Sequence, residues 1–159
     1  MSQPMSDTNP FLNFPYGSIQ MECDASDLIV EGEVPADLCG SLYRAGPNQR
    51  FSPRGDYHLF MGDGMVHAFH IENGKVDYNN RWVRTAKWKH EDRAGETLIN
   101  PMNPFECDPQ YSDFVFTDKD GTANTATVWH GGRLFLHRSS DTDTEWTLRS
   151  ASESLGLSR

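Results

Sequence analysis

The sequence predicts an all-β fold, and three observations carry that expectation. Asn73-Gly74 and Gly131-Gly132 each sit between short alternating runs, the pattern of two-residue hairpin turns whose central residues need positive φ. Gly, Pro, Asn and Asp recur at short intervals between β-branched and aromatic stretches. No window shows a convincing i, i+3, i+4, i+7 apolar stripe, so no long helix is expected.

Taken in order, residues 1–22 mix Pro4, Pro10 and Pro15 with Asn, Ser and Gly without any period, which predicts an irregular arm. The run from Leu28 to Glu33 is β-branched and half alternating, and Pro35 forbids its continuation, so a strand is expected to end near Glu33. Gly46-Pro47-Asn48 and Pro53-Arg54-Gly55 read as turns. The clearest element is a hairpin over Met65 to Arg84, in which Asn73-Gly74 fixes the register. Glu72 falls opposite Lys75, Ile71 opposite Val76, His70 opposite Asp77, Phe69 opposite Tyr78, His67 opposite Asn80 and Met65 opposite Trp82. One face is then apolar at Ile71/Val76, Phe69/Tyr78 and Met65/Trp82, and the other carries Glu72/Lys75 and His70/Asp77. A helical turn is expected only within 90–99. The second hairpin, Ala126 to His137, sets Trp129 opposite Leu134 and Val128 opposite Phe135; apolar pairs on both faces predict a strand pair covered on both sides.

A chain of 159 residues is one domain or part of a larger one. Lys plus Arg number 14 against 23 Asp plus Glu, a net charge of -9, which repels phosphate backbones and argues against nucleic acid as a partner. Apolar runs such as Leu28-Ile29-Val30 and Leu59-Phe60-Met61 are far too short to span a bilayer. Met1 to Pro10 holds no basic residue and no apolar stretch, so neither a signal nor a transit peptide is read and the cytoplasm is the expected compartment. Cys23, Cys39 and Cys107 form no C-x-x-C pair and are expected to be buried reduced thiols.

Six histidines raise the question of a metal site. His67 and His70, three apart on a strand, point to opposite faces and cannot share an ion, and His70 is expected opposite Asp77 at the surface. Neither H-x-H nor H-x-x-x-H occurs among His58, His67, His70, His90, His130 and His137, which favours satisfied or exposed imidazoles. Gly62-Asp63-Gly64 lacks the third glycine of a dinucleotide fingerprint and precedes a strand. It is expected to form a rigid corner of left-handed backbone, with Asp63 accepting from nearby amides. Asp118-Lys119-Asp120-Gly121 makes an acidic turn without the remaining ligands of a calcium loop. There is no G-x-S-x-G and no Cys-His pair at readable spacing.

Four stretches together resemble the carotenoid cleavage oxygenases, the family of carotenoid and lignostilbene dioxygenases and the retinal pigment epithelium isomerase. Residues 30–40, VEGEVPADLCG, resemble the family's V-x-G-x-I/V-P-x-x-L-x-G, and residues 43–51, YRAGPNQRF, resemble Y-R-N-G-P-N-P-x-F. Residues 58–69, HLFMGDGMVHAF, are similar to H-x-F-D-G-D-G-M-V-H-A-F, with Asn80-Arg81-Trp82-Val83-Arg84-Thr85 following in order. Gly121-Thr122-Ala123-Asn124-Thr125, leading into residues 128–134, is similar to the family's TANT strand. The likeness covers about residues 13 to 136.

This resemblance implies a seven-bladed β-propeller, of which residues 23–136 would be an N-terminal and incomplete part. It implies a non-haem Fe(II) centre held by four histidines, a small apolar polyene and O₂ as reactants, and oxidative cleavage of one C=C bond to two carbonyls. Lignostilbene-type cleavage is the second substrate class, isomerisation stays open, and membrane-surface contact would run through regions outside this chain. The family's ligand histidines follow the TANT strand, so none of the six here inherits a metal role. Ala45 stands for the usual Asn, Gln49 for Pro and Met61 for Asp. Pro101 stands where stilbene-cleaving members carry the tyrosine that meets the phenol, which counts against a stilbene. Phe60 is a candidate for the substrate-tunnel wall, weighed against a core aromatic. Residues 137–159, rich in Ser and Thr, depart from the family pattern as a frameshift or truncation would make them; the competing reading is a genuine strand and loop. Strands for only about two blades leave the ring open, so the chain by itself is expected neither to fold cooperatively nor to cleave an alkene. The competing class is a non-catalytic propeller fragment or binding module without iron.

Overall fold

The computed structural model describes residues 9–112 and 121–137, with Arg149 and Ser150 as backbone. Strands β1 (Cys23–Ala25), β2 (Gly40–Asn48), β3 (Asp63–Glu72) and β4 (Lys75–Trp82) form an antiparallel sheet in the order β1-β4-β3-β2. Strands β5 (Ala126–His130), β6 (Arg133–His137) and β7 (Arg149–Ser150) form a second sheet in sequence order. Between the sheets in sequence lies a helix, α1 (Ala86–Ala94).

The β3–β4 hairpin turns on Asn73 (φ 51°) and Gly74 (φ 76°), and every pair expected from that turn is present, from Glu72 with Lys75 to Met65 with Trp82. On the polar face the exposed residues Glu72, Lys75 and Asp77 lie toward the tip. Closer to the base Val66 and Ala68 are buried as well, so β3 is sandwiched there. Gly131 and Gly132, at φ 57° and 75°, close the β5–β6 hairpin with Trp129 opposite Leu134 and Val128 opposite Phe135. The expected cover on both sides is not found among the described residues. Leu134 and Leu136 are buried with Val66, Val83 and Ala123, against Tyr43 and Ala45, whereas Val128 on the other face is exposed. Trp129 is also exposed and stacks on Tyr43 at 6.4 Å.

Four further expectations are corrected. The run 28–33 is not a strand: Asp27 turns the chain with φ 56°, Leu28 donates one bond to the Val76 carbonyl, and Ile29 is left exposed. The strand beside β4 is the earlier Cys23–Ala25. Gly46-Pro47-Asn48 is no turn but the end of β2, where Pro47 pairs with Gly64; on an edge strand the missing N–H can face away from the ladder. Helix α1 begins upstream of the expected 90–99 and shares only residues 90–94 with it. The Thr85 hydroxyl caps it by accepting from Trp88 N–H, and left-handed Gly95 ends it. Cys23 and Cys39 are exposed, one on the short edge strand and one in the unpaired approach to β2, and only Cys107 is buried. Residues 118–120 of the acidic turn and most of the atypical tail lie outside the described residues.

Candidate functional site

The corner leading into β3 gathers the segments that the motifs single out. His58 opens a 3-10 turn, Leu59–Met61, with its ring nitrogen accepting from Phe60 N–H. Met61 turns inward onto Leu12 and Tyr57, and Phe60 turns outward, 74% exposed, with the His58 ring edge-on at 4.8 Å. Among the described residues Phe60 therefore belongs to no core cluster. From the TANT segment, the buried Asn124 amide donates to the Phe60 carbonyl at 2.9 Å and to the Gly62 carbonyl at 2.7 Å. Gly64 N–H donates to the Thr122 carbonyl at 2.9 Å.

The two glycines serve close approach, not left-handed torsion. Gly62 has φ -61°, and a Cβ there would stand 2.9 Å from both Asn48 N and the Tyr57 hydroxyl. A Cβ on Gly64 would stand 2.5 Å from the Ala123 carbonyl oxygen and 2.8 Å from that of Thr122. The Asp63 carboxylate accepts from no amide among the described residues. Its Oδ1 receives the Lys87 ammonium at 2.7 Å, and its buried Oδ2 makes no hydrogen bond among the described residues.

Lys87 also donates to Glu91 Oε2 at 2.7 Å, and Glu91 Oε1 accepts from Leu98 and Ile99 N–H at 3.0 and 2.9 Å. Asp63, Lys87 and Glu91 are each about 1% exposed, so α1 ties the corner to residues 98–99 through a fully buried cluster. Burial opposes the Lys87 charge, but Asp63 and Glu91 outweigh it and hold the ammonium above its ordinary range. Burial pushes the Glu91 carboxyl up against the pull of Lys87. Burial first, then the Asp63 carboxylate, pushes the Tyr57 hydroxyl up to about 12. Lys87 therefore keeps its charge at neutral pH, and the cluster acts as a scaffold. Sequence reasoning missed this cluster and the Asn124 grip; the signal for the first was Lys87 and Glu91 at i, i+4 between Thr85 and Gly95.

The histidines are dispersed. His67 and His70 lie on opposite faces of β3, the first bonded to the Tyr78 hydroxyl and the second to Ser41 Oγ, each at 2.7 Å, with His70 opposite Asp77 as expected. His90 packs on Tyr111, and His130 is exposed at the β5–β6 turn. Among the described residues no three His, Cys, Asp or Glu side chains converge on a point that could hold a metal ion. A concavity of about 620 Å³ opens on the other face of the first sheet between Ile19, Leu28, Arg44, His67, Phe69 and Tyr78.

Two antiparallel sheets joined by the TANT segment's grip on the corner are the arrangement expected of part of a propeller, and comparison with known proteins agrees. Residues 16–145 match the family described as retinal pigment epithelial membrane protein, and the chain belongs to that family, which includes the carotenoid cleavage dioxygenases. It is 40% identical over 119 residues to lignostilbene-alpha,beta-dioxygenase isozyme III of Sphingomonas paucimobilis, covering 74% of this chain and 24% of that one. It is 41% identical over 158 residues to a probable chloroplastic carotenoid cleavage dioxygenase 4 of Arabidopsis thaliana, covering 88% and 26%. The crystal structure of Pseudomonas brassicacearum lignostilbene dioxygenase superposes with a TM-score of 0.74 at 27% identity, over 96% of this chain and 33% of that one. A cobalt-substituted Synechocystis apocarotenoid oxygenase superposes at 0.61 and 29% identity, over 87% and 31%, and shows that a member of the family holds a metal. The chain spans about a quarter of the length of these curated relatives.

Proposed function

We propose that this chain is the N-terminal propeller segment of an Fe(II)-dependent dioxygenase that uses O₂ to cleave one C=C bond of an apolar, carotenoid- or apocarotenoid-like polyene into two carbonyl products. The observation that supports it is the match of residues 16–145 to the family, with the motifs in family order. The described residues do not offer a ligand set for the iron, so its ligands are assigned to polypeptide beyond them. What this segment contributes is an apolar surface: Phe60 projects from the corner as the wall against which a polyene packs, excluding water from it.

A stilbene is the second reading, favoured by the likeness to two lignostilbene dioxygenases. Against it stands Pro101, which has no hydroxyl for a phenol and lies beside Tyr57, Met61 and Lys87 behind the same corner. The test is iron content and O₂ consumption of the full-length protein carrying this segment, with an apocarotenal and a 4-hydroxystilbene in parallel. One iron per chain and two carbonyl products from the apocarotenal support the proposal. Turnover of the stilbene alone replaces it with the second reading, and iron-free, inactive protein replaces it with a non-catalytic module. The 159-residue chain alone is expected to bind no stoichiometric iron and to consume no O₂.

A further inference from the structure

We infer that Asn124 is a positioning residue that fixes where Phe60 projects, and that it thereby sets how closely substrate packs at this wall. The inference rests on the reading of Phe60 as a substrate wall. Phe60 is 74% exposed and meets the His58 ring only edge-on, so little of its own packing holds it in place. Its backbone is held instead. One side-chain amide, 7% exposed, spends both N–H bonds on the carbonyls flanking Met61, at Phe60 and Gly62, which lie 64 and 62 residues earlier. The Thr125 hydroxyl donates to Asn124 Oδ1 at 3.2 Å, which orients the amide with its nitrogen toward those carbonyls. Below them Gly64 N–H bonds to the Thr122 carbonyl, which ties the TANT backbone to the corner at a distance too close for a Cβ on Gly64. The Met61 side chain anchors the middle of the turn from the opposite side, in the Leu12–Tyr57 cluster. A rigid base on both sides of a largely exposed ring, touched by the edge of His58, is what placing that ring requires.

The test is a double-mutant cycle between Asn124→Ala and Phe60→Ala in the full-length protein, read as kcat and KM for the substrate it turns over. A second reading is the ¹⁹F resonance of 4-fluorophenylalanine incorporated at position 60. Asn124→Ala is expected to lower kcat/KM about tenfold, mostly through KM, with Phe60 present, and less than about twofold with Phe60→Ala. The ¹⁹F line, single in the parent, is expected to shift and broaden. Equal losses in both backgrounds show that Asn124 acts by general stability and overturn the inference, as does an unchanged ¹⁹F line. If the parent cleaves neither polyene nor stilbene, the proposed function fails by itself, and the ¹⁹F line alone decides whether Asn124 places Phe60.

Discussion

Two glycine-dependent bends lie at opposite ends of β3, and they are built in opposite ways. At the Asn73-Gly74 tip everything is local: Gly74 takes φ 76°, and nothing stands within 4 Å of where its Cβ would be. At the Gly62-Asp63-Gly64 corner the torsions are ordinary and everything is remote. Gly64 is pressed on Thr122 and Ala123, Asp63 on Lys87, and Gly62 on Asn48 and Tyr57. A glycine can thus answer a torsional demand, visible in its immediate neighbours, or a demand for space made by chain far away.

Charge removal should separate the two bends most strongly. Lys87→Met leaves Asp63 and Glu91 buried without their cation, and uncompensated buried charge costs about 3–5 kcal/mol. At the tip, Lys75→Met breaks only the exposed Lys75–Asp27 pair and should leave stability unchanged. Chemical denaturation of the full-length protein measures both. Equal effects would mean that the buried cluster is not what locks the corner.

Next in size are the glycines themselves. Gly64→Ala must push apart two backbone carbonyls that are already hydrogen-bonded in place or packed, a cost of about 1–3 kcal/mol. Gly74→Val meets no atom but resists positive φ, and should cost on the order of 1 kcal/mol or more. Gly74→Asn is the sharper control, because Asn tolerates the left-handed region and should be close to neutral. Midpoints of thermal or denaturant unfolding give the ranking. A harmless Gly64→Ala would show that the TANT segment yields, and a harmless Gly74→Val that the tip is not a type I′ turn.

The same contrast explains what the sequence could disclose. Both hairpins, their registers and the outward alternation of their faces follow from residue pairs adjacent in sequence, Asn73-Gly74 and Gly131-Gly132. The run 28–33 has strand composition yet makes a single bond to β4, from Leu28, once Asp27 turns the chain, because pairing is decided by the neighbouring strand and not by propensity. Helix α1 escaped the periodicity test because its buried residues are Lys87, Trp88 and Glu91, and one apolar side chain among two charged ones makes no stripe; its caps, Thr85 and Gly95, were legible. The family motifs located Phe60 and Asn124 but not their relation. That relation runs through backbone carbonyls, which every residue possesses and no composition marks. The exposure of Phe60 was likewise settled by Met61 taking the inward place in the turn.

The smallest effect is expected on the cleft face of β3, midway between the two bends. His67 is half-buried beside Tyr78, and burial, followed by the charge of Arg44, depresses its imidazolium below the ordinary 6.5. The folded protein therefore holds this proton less tightly than the unfolded chain does. Above pH 6.5 both states are neutral here and the full contribution to stability is present; as pH falls below 6.5 the unfolded chain is protonated first, and stability declines until the folded state has titrated too. Removing the cation with Arg44→Met should move the His67 midpoint upward and shrink that decline, while burial, the larger cause, keeps it below the ordinary value. Proton NMR of the His67 ring, followed through the titration in the full-length protein and in the variant, tests both points. A midpoint at or above 6.5 would show that this face is wetter than the packing of Phe69, Tyr78 and Leu28 implies. An unmoved midpoint in Arg44→Met would mean that the guanidinium spends its time away from the ring, leaving burial as the only cause of the shift.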